Sequence, residues 1–67
     1  MSVAKITEIT SESPEGFDAA VRDGITRAAK TLRNLKSVWV KDHEVEIQND
    51  KPKNYRVTLK VTFVLND

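Results

Sequence analysis

The fold is decided by the stretch at residues 55–65, which reads YRVTLKVTFVL. Apolar and polar side chains alternate along it, and successive side chains of a strand point to opposite faces. The apolar set is Tyr55, Val57, Leu59, Val61, Phe63 and Leu65. The pattern therefore predicts a strand with one apolar face. Its length and regularity favour the central position in a sheet.

Two further strands and one helix are predicted before this stretch. Residues 3–10, VAKITEIT, and residues 38–47, VWVKDHEVEI, are rich in β-branched residues and predict strands. Between them, apolar or small residues recur every three or four positions, which predicts a helix of about 22 residues. They are Phe17, Ala20, Val21, Gly24, Ile25, Ala28, Leu32 and Leu35. We expect Ser13 to cap this helix and Pro14 to begin it. Residues 48–54, QNDKPKN, predict a polar turn.

The order of these elements leaves little freedom in topology. The second and third strands form an antiparallel hairpin, and the first strand reverses direction through the helix. An antiparallel sheet then requires the third strand in the middle, in the order 1-3-2. The predicted fold class is α+β: a βαββ unit whose three-stranded antiparallel sheet wraps on one helix. We expect residues 1–67 to form a single domain.

The size of the chain predicts self-association. In a chain of 67 residues, the stabilisation from buried apolar area is roughly offset by the entropy of ordering the chain. The sequence has no cysteine and one histidine, so neither a disulfide nor a structural zinc site is expected. One helix covers only one face of the sheet, which leaves the other face and both edge strands open. Symmetric assembly would close them.

The charge pattern argues against several partner classes. The net charge is +1 with acids and bases interspersed, whereas a nucleic-acid-binding protein typically shows a one-sided basic excess. Basic residues on the predicted helix, such as Arg22 and Arg27, are balanced by Asp18 and Asp23. No apolar run is long enough for a membrane span, and we find no signal-peptide pattern. We expect a cytoplasmic protein for which nucleic acid is an unlikely partner.

Three blocks of the sequence resemble the dodecin family. They read TSESPEGFDAAVRDGITRAAKTLRNL at residues 10–35, VEI at residues 45–47 and YRVTLKVTFVL at residues 55–65. The resemblance extends over nearly the whole chain. It implies a βαββ subunit of a hollow homo-dodecamer that binds small ligands, in many members riboflavin or FMN, at sites between subunits.

The residues that hold flavin in the family are replaced in this chain. Flavin-binding dodecins carry a Trp at the start of the second strand, and two such indoles sandwich a pair of flavins across a twofold axis. A Gln early in the third strand hydrogen-bonds the flavin. These positions fall on Ser37 and Arg56 here. The chain thus resembles a branch of the family that lacks the stacking Trp, and some members of that branch are associated with cations.

Trp39 is the candidate substitute for the missing indole. Strand alternation places Ser37, Trp39, Lys41 and His43 on one face, with Trp39 about 7 Å along the strand from Ser37. Trp39 would either fill a subunit interface or stack on an aromatic ligand. Arg56 would stack on a flat ring or hold a phosphate. The candidate ligand-binding residues are therefore Trp39, Ser37 and Arg56.

No catalytic signature accompanies these residues. His43 has neither a nucleophile nor a partner base in a recognisable pattern, and the chain is too short to form a deep pocket alone. We therefore expect a protein that is not an enzyme. Two interpretations stay open: a storage protein for a small aromatic ligand, flavin if any, and a non-flavin assembly that binds a divalent cation or another small ion.

Overall fold

The computed structural model describes residues 3–65 and confirms the predicted fold. Its elements are β1 (Val3–Ser13), α1 (Phe17–Thr31), β2 (Leu35–Gln48) and β3 (Lys51–Leu65). The strands form one antiparallel sheet in the order β1-β3-β2, as predicted. β3 is thus hydrogen-bonded on both sides, and α1 packs across one face of the sheet.

The core lies between α1 and the apolar face of β3. Val57, Leu59 and Val61 are fully buried, and Ala20 of α1 is buried against them. The helix approaches closely at Gly24, where an added Cβ would lie 2.8 Å from Cδ1 of Leu59. The helix face that carries the small residues Ala20 and Gly24 is therefore the surface that packs on the sheet.

The helix begins three residues later than predicted. Ser13 is the last residue of β1 and is buried, and its Oγ accepts a hydrogen bond from the backbone N–H of Glu15 at 3.1 Å. The N-cap is Gly16, with φ 149° and ψ 175° and no side-chain cap. This backbone conformation is open essentially to glycine alone. The prediction of Ser13 as the cap and Pro14 as the first helical residue was wrong, because the chain turns at Gly16.

The helix also ends earlier, so that it has 15 residues rather than 22. Leu32 is already extended, and Asn34 takes a left-handed conformation with φ 60°. The carbonyl of Asn34 then accepts a hydrogen bond from the N–H of Val64 at 3.1 Å, which directs the chain into β2. The apolar periodicity continues past the helix because Leu32 and Leu35 still pack on the core.

The hairpin between β2 and β3 turns within two residues, not over residues 48–54. Asn49 and Asp50 have φ 54° and 63°, the two left-handed torsions of a type I′ turn. Pro52 lies inside β3, opposite Ile47. β1 ends opposite Tyr55, so Pro52 lies where β3 has a neighbour on one side only, a position that tolerates proline.

The predicted position of His43 on the same face as Trp39 was wrong, because β2 contains a bulge. The pairing shifts between Val40 and Asp42, so Lys41 is an extra residue and alternation reverses after it. His43 therefore lies opposite the buried Val57, on the helix side of the sheet. Its ring meets the ring of Phe17 edge-on at 4.9 Å between centroids. His43 does not share a face with Trp39.

Replacement of Leu59 by Ala tests the core assignment. Because Leu59 is fully buried within one protomer, we expect Leu59→Ala to lower the free energy of unfolding by about 2–5 kcal/mol. Gln48→Ala shortens an exposed side chain beside the hairpin turn, and we expect a much smaller loss. Chemical denaturation measures both variants, and an unchanged stability of Leu59→Ala would contradict this packing.

Candidate functional site

The face of the sheet opposite α1, here called the outer face, carries the candidate site. Strand register arranges its side chains in rows that take one residue from each strand. Four successive rows, in the order β1, β3, β2, are Ile6–Thr62–Ser37, Glu8–Lys60–Trp39, Thr10–Thr58–Asp42 and Glu12–Arg56–Glu44. Neighbouring rows are about 7 Å apart. A single protomer therefore presents a shallow, polar surface with one aromatic side chain.

Trp39 and Lys60 form the aromatic row. The Trp39 side chain is 64% exposed, which is unusual for so large an apolar group. Nζ of Lys60 lies 5.2 Å from the centroid of the indole ring, a cation–π distance. Nζ of Lys41 lies 3.6 Å from Oε2 of Glu8, so the carboxylate opposite Lys60 is paired with another cation. The row thus combines a flat aromatic surface with a positive charge.

Arg56 links all three strands through two carboxylates. Its Nε and Nη2 donate to Oε1 of Glu12 at 3.0 and 2.7 Å, and its Nη1 donates to Oε1 of Glu44 at 2.8 Å. The hydrogen bond to Glu12, followed by that to Glu44, raises the pKa of Arg56 above its usual range. An arginine guanidinium is charged at any working pH, and here two carboxylates balance that charge. Its Nε, Nη1 and Nη2 groups thus already donate hydrogen bonds to side chains of the same protomer.

Two of the three predicted site residues lie together. Ser37 and Trp39 occupy adjacent rows on the outer face, as alternation predicted. Arg56 lies in a row four residues along β3 from Lys60, about 13 Å from the row of Trp39. Within one protomer, Arg56 therefore does not meet the other two. The three can line one site only where subunits meet.

Sequence reasoning missed Glu12 and Lys60. Glu12 was expected to lie between the first strand and the helix, but β1 extends to Ser13 and places Glu12 opposite Arg56. Lys60 is one of the polar residues in the alternating pattern of residues 55–65, and that pattern alone does not identify a cross-strand partner for it. Counting residues outward from a two-residue turn at Asn49–Asp50 would have placed Lys60 opposite Trp39.

The described residues of one protomer do not bring a set of metal ligands together. Across residues 3–65, no group of three or more His, Cys, Asp or Glu side chains is placed to hold a metal ion. In the same part of the chain, no helix is long and apolar enough to cross a membrane.

The family model for dodecins matches residues 3–66. The chain belongs to the dodecin family. A dodecin of Thermus thermophilus is 38% identical over 65 residues, which cover 97% of this chain and 94% of that protein. Members of the family are self-associating proteins that bind small ligands.

Solved dodecin structures superpose closely on this dodecin. A T. thermophilus dodecin variant with alanine in place of an arginine matches with a TM-score of 0.95 at 37% identity and covers 100% of both chains. Dodecin from Streptomyces davaonensis matches with a TM-score of 0.94 at 36% identity, over 98% of this chain and 97% of that one.

A more distant structure shows the same fold. It is the calcium-chelating antigen of Mycobacterium tuberculosis named calcium dodecin, which has a TM-score of 0.84 at 23% identity. It covers 97% of this chain and 93% of its own. At this identity the likeness concerns the fold alone.

Replacement of Arg56 by Gln tests the link between the strands. The variant leaves Glu12 and Glu44 on either side of β3 without the cation between them. We expect a lower melting temperature at low salt, and a smaller deficit in about 1 M salt, where the Debye length is ~3 Å. Lys53→Gln removes one charge from an exposed residue near the hairpin turn and is the matched control. A melting temperature equal to that of the control at low salt would contradict a stabilising role of Arg56.

Proposed function

We propose that this dodecin assembles into a hollow homo-dodecamer that binds and stores a small, flat aromatic ligand of the flavin type without catalysing a reaction. The observation that carries the proposal is the exposed indole of Trp39 on the outer face. An indole presents a broad face for stacking on a planar ring, and stacking tolerates differences between ligands. Ser37 lies one row away and offers a hydroxyl as hydrogen-bond donor or acceptor.

Exposed apolar side chains support the assembly. The largest of them are Val3, Ile6, Trp39, Ile47 and Leu65. They are spread along a protomer whose longest extent is 51 Å, so several different neighbours would be needed to cover them. β1 and β2 are also edge strands with unpaired backbone groups. Both features favour a closed, many-subunit particle over a monomer.

The ligand site would lie between subunits. The outer face of one protomer is too shallow to enclose a ring, so the second side of the ligand must be covered by another copy. Ser37 and Trp39 of one subunit would contact the ligand directly. Arg56 would reach the same ligand from a different subunit, since about 13 Å separates its row from that of Trp39.

Titration of the purified assembly with riboflavin and FMN tests the proposal. We expect saturable quenching of flavin fluorescence at a fixed ratio of ligand to subunit. Trp39→Ala should weaken binding roughly tenfold or more, because stacking on one aromatic side chain contributes about 1–3 kcal/mol. Gln48→Ala shortens an exposed, uncharged side chain beside the hairpin turn that has no role in the proposed assembly or site, and it should leave binding unchanged. Absence of quenching on an intact particle would refute flavin-type binding.

The mass of the particle tests the proposed assembly. Sedimentation equilibrium should give a particle of about twelve times the chain mass of 7.6 kDa. A monomer or dimer at working concentration would contradict the proposed shell.

A divalent cation is the second candidate ligand. In the row Thr10–Thr58–Asp42, the side-chain atoms able to bind a metal are all oxygens, the ligand type that Ca²⁺ prefers. Among residues 3–65, Asp42 has no cationic side chain within 4.0 Å. A complete site would need further oxygen ligands from another subunit. Equilibrium dialysis with Ca²⁺ tests this candidate, with loss of binding expected for Asp42→Asn and no change for the remote Asp18→Asn.

A further inference from the structure

Lys60 covers the part of Trp39 that a flat ligand would use. Its Nζ lies 5.2 Å from the ring centroid, over the exposed indole. We infer that Lys60 makes the site selective for a flat ring that carries an anionic group. This inference rests on the proposed function and defines its ligand class.

The ammonium group of Lys60 is available for such an anion. Glu8 lies opposite Lys60 in the strand register, but its carboxylate is paired with Lys41 at 3.6 Å. Within residues 3–65, no carboxylate oxygen lies within 4.0 Å of Nζ of Lys60. The indole face is thus the partner of this charge, and at an exposed site a cation–π contact is weak.

Arg56 is a poorer candidate for the same task. Its guanidinium is held by Glu12 and Glu44 through three hydrogen bonds of 2.7–3.0 Å. An incoming anion would meet two carboxylates beside that cation and would have to displace one of them. Lys41 is likewise paired with a carboxylate, that of Glu8. Of these three cations, Lys60 alone has no carboxylate oxygen within 4.0 Å in the described part of the chain, so an anion can reach it without displacing one.

Displacement of Lys60 has opposite consequences for neutral and anionic ligands. A neutral ring that stacks on Trp39 must move the ammonium group away and gives it no new partner. A ring with a phosphate or carboxylate also moves it, but then pairs with it. The flexible four-carbon stem of lysine allows the movement. Lys60 therefore opposes neutral rings and favours anionic ones.

Riboflavin and FMN form the required pair of probes, because they share one ring system and differ by a phosphate. Trp39 is the only tryptophan of the chain, so its fluorescence reports directly on the site. We expect FMN to bind roughly tenfold more tightly than riboflavin at low salt, as for a single charge-assisted contact. This preference should shrink in about 1 M salt, where exposed charges are screened.

Variants at Lys60 distinguish a direct contact between Lys60 and the anion from an effect of the protein's net charge on binding. In Lys60→Gln, FMN should bind more weakly and riboflavin equally or more tightly, so that the ratio of their dissociation constants falls to about 1–2. Lys60→Arg keeps the charge and should keep the preference. Lys53→Gln makes the same change of net charge at a remote exposed residue and should leave the ratio unchanged.

The outcomes distinguish the inference from the function on which it rests. Equal binding of both flavins, or a preference that survives Lys60→Gln, overturns the selective role of Lys60 and leaves the stacking site in place. If neither flavin binds to the intact particle, the flavin-type storage function fails and the inference fails with it.

Discussion

The structure depends on the position of β3 between two strands and under one helix. Hydrogen bonds hold it from both sides, and burial of Val57, Leu59 and Val61 fixes which of its faces turns inward. A shift of one residue would expose these three side chains, so the register is strongly specified. The same constraint puts Arg56, Thr58, Lys60 and Thr62 on the outer face. The core of this dodecin thus decides which side chains a ligand can meet.

The sequence predicted the topology because one strand had a pattern long enough to exclude alternatives. It did not predict the element ends, which depend on single backbone torsions at Gly16, Asn34 and Asn49–Asp50. Local backbone geometry also limits how well the sequence predicts the candidate site. Ser37 and Trp39 share a face as expected, but the bulge at Lys41 turns His43 to the other side. The pair of Trp39 and Lys60 depends on the register between β2 and β3, which the two-residue turn at Asn49–Asp50 sets.

The outer face places its cations against two kinds of partner, carboxylates and an aromatic ring. The resemblance to flavin-binding dodecins implies that Ser37 and Arg56 stand at the family's Trp and Gln positions. Arg56 forms a hydrogen-bonded network with Glu12 and Glu44, and the indole of Trp39 lies one row from Ser37. Arg56 and Lys41 pair with carboxylates, whereas Lys60 lies over an aromatic ring.

The close approach of α1 to the sheet has a consequence for how this sequence can diverge. Space for a Cβ at position 24 is missing because Cδ1 of Leu59 and the Cβ of Ser11 already lie 2.8 and 3.0 Å from where it would be. A larger residue in the helix is therefore tolerable only with a smaller one in β3, or with a retreat of β1. Positions 11, 24 and 59 therefore share one limited space between β1, α1 and β3. Across descendants of this chain, we expect these three positions to change together, because a larger side chain at one of them needs a smaller one at another.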